Sequence, residues 1–80
     1  MLTAYVHAAL ALAHYEILDE GEGIYGSVSV LPGVWAAAPT VEECRAELQE
    51  VVEDWLLVRL RRQADVPVLN GIDLNLASAA

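Results

Sequence analysis

The stretch Ile24-Tyr25-Gly26-Ser27-Val28-Ser29-Val30-Leu31-Pro32-Gly33-Val34-Trp35, followed by Thr40-Val41-Glu42-Glu43-Cys44, leaves few folds open to this chain. Side chains alternate from Tyr25 to Leu31, which predicts a pleated, half-buried strand over 24–30. Pro32 presets its own φ and Gly33 accepts a positive one, so Leu31-Pro32-Gly33-Val34 predicts a type II turn into a short strand over 34–37. Thr40 with Glu43 three residues later is a capping box, hydroxyl to backbone N–H and carboxylate back to the cap. It opens a helix predicted over 40–63.

The remaining elements follow from periodicity. Residues 3–12 are Ala- and Leu-rich and predict a helix, with Tyr5, Ala9 and Leu12 on one side and Val6 and Leu10 beside them. Alternation over 13–18 predicts the first strand, and Asp19-Glu20-Gly21-Glu22-Gly23 is a polar hairpin connection. In the long helix, Val41, Cys44, Leu48, Val51, Val52, Trp55 and Val58 recur at three and four, forming one apolar face. Its acids lie at the front and Arg59, Arg61 and Arg62 at the back, complementing the helix dipole. Pro67 ends helical structure before it, Asn70-Gly71 signals a turn, and 72–76 alternates as a last strand. The expectation is one α+β domain over 1–80. It has a short N-terminal helix, a three-stranded antiparallel sheet, a long helix packed on it and an edge strand, with a frayed tail.

Eighty residues, 56% of them hydrophobic, exceed what one small core hides. A chain of this size buries roughly 60–65% of its unfolded surface, and one cysteine allows no internal disulfide. Self-association, as a dimer or tetramer, resolves the excess, with Val34, Trp35, Leu56 and Leu60 as candidates for the contact. Twelve Asp and Glu against four Arg, with no Lys, give a net charge of −8. That balance argues against direct nucleic-acid binding, which needs clustered cations. It suits a basic partner and equally suits plain solubility. No apolar run reaches membrane-spanning length and the N-terminus lacks a basic leading region, so a cytoplasmic location is expected.

Few residues suggest chemistry. His7 and His14 have no nucleophile pattern beside them and read as surface or packing residues. Asp19, Glu20 and Glu22 sit in a hairpin tip without carboxylates at strand ends, so a metal site is not expected there. Cys44, one turn into the helix on the apolar face, reads as a small core residue. No catalytic residue, cofactor or metal is expected. Trp55 reads as core; Trp35 reads as either core or an interface anchor.

The residues Tyr25, Leu31-Pro32-Gly33 and Thr40-x-Glu42-Glu43-Cys44, in this order and spacing, resemble the HicB family of antitoxins, especially its small single-domain members. The resemblance spans about residues 13 to 76. The chain departs from the family pattern at Val30, where an acid usually precedes Leu-Pro-Gly, at Ala38-Pro39 before the cap, and at Glu47, where Asn is common. The resemblance implies a partial ribonuclease H-like βββαβ fold, in which the last strand extends the sheet. It implies a HicA-type toxin as partner, a small basic mRNA-cleaving ribonuclease whose catalytic face the antitoxin blocks. Asp19, Glu20, Glu22 and Trp35 are the candidate toxin-facing residues. Many members append a DNA-binding domain; no such segment is read here. The alternative is a stand-alone oligomeric scaffold or regulatory protein, and a degenerate nuclease is a third reading.

Overall fold

The computed structural model describes residues 2–62 and 64–74; the side chain of Glu20 lies outside that description. The elements run α1 (Leu2–Ala11), β1 (His14–Ile17), a single 3-10 turn (Asp19–Gly21), β2 (Ile24–Ser27), β3 (Trp35–Ala38) and α2 (Val41–Arg61). The strands form an antiparallel sheet in the order β1-β2-β3, and α2 lies across one face. The fold is α+β, as expected.

The register sorts the two faces. Tyr15, Gly26 and Ala36 share one rung, and Ile17, Ile24 and Ala38 share another. Ala36 and Ala38 are buried beneath α2, whose inward residues Cys44, Leu48, Val52 and Leu56 repeat every four positions. Close approach of helix to sheet depends on Gly26. A Cβ there would come within 3.0 Å of Cys44 Sγ and of the Tyr15 ring. The Cys44 thiol sits 3.5 Å from the Ala36 carbonyl and is fully buried. Burial pushes its pKa up, with the nearby Glu47 charge adding to the shift and a backbone bond at Gly26 opposing it. Cys44 is therefore the core residue its position in the pattern suggested. Val41 and Val58, expected on the apolar face, are instead exposed at its margins, as is Leu12 beyond the end of α1. Thr40 caps α2, its hydroxyl accepting from the Glu43 N–H at 3.2 Å.

Two strand predictions need correction. β2 stops at Ser27 rather than continuing to Val30. Leu31 N–H donates to Val28 C=O at 3.0 Å, and Val34 N–H donates to Leu31 C=O at 3.1 Å. Two successive turns thus replace the ladder. The reason is side-chain geometry: a strand would send Val28 and Leu31 to opposite faces, whereas the turn buries both. Gly33 has φ +84°, the left-handed value a type II turn requires at that position. The expected strand over 72–76 does not extend the sheet among the described residues. Asn70 (φ +48°) and Gly71 (φ +75°) form the tight turn, but it folds Ile72 back onto Leu69 through bonds of 3.2 and 2.7 Å. Ladder groups of Ile72 are thereby used locally, and Pro67 on the other arm has no N–H to lengthen the pairing. Residues 75 and 76 lie outside the described residues.

Helix α1 packs against α2. Tyr5, Val6, Ala9 and Leu10 are buried, and the Tyr5 hydroxyl donates to the Pro67 carbonyl, tying the segment after α2 to the N-terminal helix. Burial pushes the Tyr5 phenol pKa up.

Candidate interaction surface

Among the described residues, no element covers the face of the sheet turned away from α2. His14, Ser27 and Trp35 occupy one rung, and Glu16, Tyr25 and Ala37 the rung two positions along. Tyr25 and Trp35 are diagonal neighbours, with ring centroids 5.9 Å apart and planes at 22°, an offset-stacked geometry. Trp35 remains 54% exposed. Trp35 is therefore not a core residue.

Trp55 is half-buried rather than core. Its indole N–H donates to the Pro32 carbonyl at 3.0 Å, and the Arg59 guanidinium lies 4.7 Å from its ring centroid, within cation–π range. Helix α2 thus clasps the Leu-Pro-Gly turn. A sequence shows Trp55 only as one more apolar position, and no spacing rule would pair it with Pro32. Leu31 is buried while Pro32 and Gly33 are exposed at the tip of the turn.

The four candidate contact residues separate. Val34 and Leu56 are 3% and 2% exposed and belong to the chain's own core, so they are corrected as contact residues. The turn at Gly33 directs Val34 inward, and α1 lies along the back half of α2 over Leu56. Leu60 is half-buried and lines a groove between the helices with Leu2, Val6 and Leu57. Trp35 alone of the four is openly accessible.

The acidic candidates also separate. Asp19 and Glu22 are exposed at the hairpin tip, beyond the rung of Ile17, Ile24 and Ala38. Trp35 stands three rungs from that one, about 10 Å along the strands, and Tyr25 lies on the rung next to that of Ile24. A second charged feature lies on α2. Glu43, Glu47, Glu50 and Asp54 are all exposed, and their spacing of four, three and four aligns them on one face of α2. This stripe runs about 16 Å along the helix. Its signal in the sequence is the same periodicity that marks an apolar face, applied to carboxylates.

Among the described residues, no group of three or more His, Cys, Asp or Glu side chains is placed to hold a metal ion. No described helix is long and apolar enough to cross a membrane.

The model of the UPF0150-like family matches residues 4–67, from α1 to Pro67. Among solved structures, the crystal structure of TTHA0281 from Thermus thermophilus is similar to this chain, with 43% identity and a TM-score of 0.86. The match covers 94% of this chain and 93% of that one. No curated protein matches.

Proposed function

This chain belongs to the UPF0150-like family, and we propose that it acts as a HicB-like antitoxin, binding a small, basic, mRNA-cleaving ribonuclease of the HicA type and occluding its catalytic face. The observation that carries this reading is the carboxylate stripe Glu43, Glu47, Glu50 and Asp54 on the solvent side of α2. It is mounted on a rigid helix in a chain of net charge −8 that contains no Lys. Such a surface attracts and orients a cationic protein and repels nucleic acid. The exposed acids Asp19 and Glu22 extend the same field at the hairpin tip. The motif string from Tyr25 to Cys44 supports the same reading through its resemblance to the antitoxin family. The mechanism is steric occlusion with electrostatic steering; no bond is made or broken by this chain.

The test is co-expression with the product of a neighbouring reading frame for a small basic protein. That protein alone is expected to arrest growth, and this chain to restore it. Purified together, the two are expected to associate more slowly as salt rises, since the Debye length is about 8 Å at physiological ionic strength. Absence of growth rescue, together with no binding at low salt, would overturn the antitoxin reading and leave the scaffold alternative.

A further inference from the structure

Among the described residues, no further strand pairs with the outer edge of β1 or of β3. In an antiparallel ladder, alternate residues direct N–H and C=O to the same neighbour. Val28 N–H donates to Val34 C=O at 3.1 Å, and the pairing continues through Gly26 with Ala36 and Ile24 with Ala38. By alternation those are the hydrogen-bonded pairs, so Trp35 and Ala37 aim their N–H and C=O groups away from β2.

These four outward groups, centred on Ala36, complement themselves under a two-fold rotation. When Ala36 faces Ala36 of a second copy, Trp35 meets Ala37 of that copy and Ala37 meets Trp35, and all four groups on each chain are paired. Sliding one way sets Pro39, which has no N–H, opposite Trp35. Sliding the other way sets Gly33, at the tip of the turn, opposite Ala37.

The β1 edge differs at the corresponding point. Leu18 N–H donates to Gly23 C=O at 2.8 Å, so the same alternation turns Tyr15 and Ile17 outward and makes Glu16 the centre. Self-pairing there would set two Glu16 carboxylates directly opposite, at a Cα separation of about 4.5 Å, which is destabilising. Pairing β1 with β3 of another copy is head-to-tail and does not close.

We infer that the β3 edge, Trp35–Ala38, is the interface with a second copy of this chain, forming one continuous six-stranded antiparallel sheet with Ala36 on the two-fold axis. Both α2 helices then lie on the same face. On the other face Trp35, already stacked on Tyr25, lies beside the methyl group of Ala37 of the second copy. No charged side chain occurs between Trp35 and Pro39. The two chains carry −8 each, so this association strengthens with salt. That is the opposite trend to capture of a basic ribonuclease, and the proposal stands independently of that reading.

The test uses the full chain, isotopically labelled, with light scattering and residue-resolved amide exchange measured across a concentration series. A mass twice that of the chain is expected at high concentration. There the Trp35 and Ala37 amides are expected to exchange roughly tenfold or more slowly than in the dilute monomer. Ala37→Pro removes an outward N–H that β2 does not use, and proline is tolerated at such edge positions. It is expected to give a folded monomer. A chain that stays monomeric at about 1 mM would overturn the proposal. So would a dimer whose Trp35 and Ala37 amides exchange as fast as in the monomer. Should Ala37→Pro fail to fold, the exchange rates of the parent chain decide.

Discussion

The indole N–H of Trp55 in α2 donates to the carbonyl of Pro32 at 3.0 Å. The two residues are 23 positions apart, and the bond joins the long helix to the Leu-Pro-Gly turn. Trp55→Phe keeps an aromatic ring for Arg59 but deletes the donor. A neutral hydrogen bond of this kind contributes about 1 kcal/mol. Urea unfolding of Trp55→Phe should show a loss of that order, with near-unchanged m-value.

Gly33 tests the turn on its other side. At φ +84° a β-branched side chain is strained, while Asn tolerates the left-handed region. Gly33→Val should cost about 1 kcal/mol or more, and Gly33→Asn should cost less. Thermal melts that rank the two variants the other way would show that the turn does not constrain the fold.

The seam between helix and sheet should resist even one added methyl group. A Cβ on Gly26 would lie 3.0 Å from Cys44 Sγ and from the Tyr15 ring. Overpacking of this kind costs about 1–3 kcal/mol. Gly26→Ala should be destabilised within that range. Combining it with Cys44→Ala should cost less than the two single changes summed, because the substitutions relieve one another. Strict additivity would contradict the contact.

Alkali should unfold the protein in a defined sense. Burial raises the Cys44 thiol above its ordinary value in the folded state, and it raises the Tyr5 phenol similarly. A group whose folded pKa is raised contributes stability that is intact below its unfolded pKa, about 8.5 for a thiol, and is lost as pH rises through the folded value. Stability should therefore decline from about pH 8.5 upward. Cys44→Ala should remove the first part of that decline. The native thiol should react with an aromatic disulfide reagent far more slowly than the urea-unfolded one.

The acids of α2 should act on association rate rather than on fold. Glu47→Gln, Glu50→Gln and Asp54→Asn together are exposed changes. They should leave the melting temperature near that of the parent while slowing association with the proposed basic ribonuclease at low salt. The tip set Asp19, Glu20 and Glu22, neutralised together, should slow it as well. Comparing the two triple variants in stopped-flow mixing would show which patch faces the partner.

Local chemistry in the sequence determined much of this protein. Alternation and 3.6-residue periodicity gave the two helices and three strands. Thr40 with Glu43 marked the start of α2, and Pro32-Gly33 and Asn70-Gly71 marked their turns, because each rests on dihedral or hydrogen-bond preferences of residues a few positions apart. The tertiary structure decided whatever depends on which surfaces meet. Val28 and Leu31 both point inward only because the chain turns between them, so β2 ends at Ser27. Ile72 is folded back on Leu69, so the predicted last strand does not extend the sheet among the described residues. Leu56 and Val34 disappear into the core because α1 and the turn cover them, and Trp35 stays outside because nothing lies over that face of the sheet among the described residues. Burial depends on the packing of distant elements, and no periodicity along the chain encodes which side of an apolar residue its neighbours will occupy.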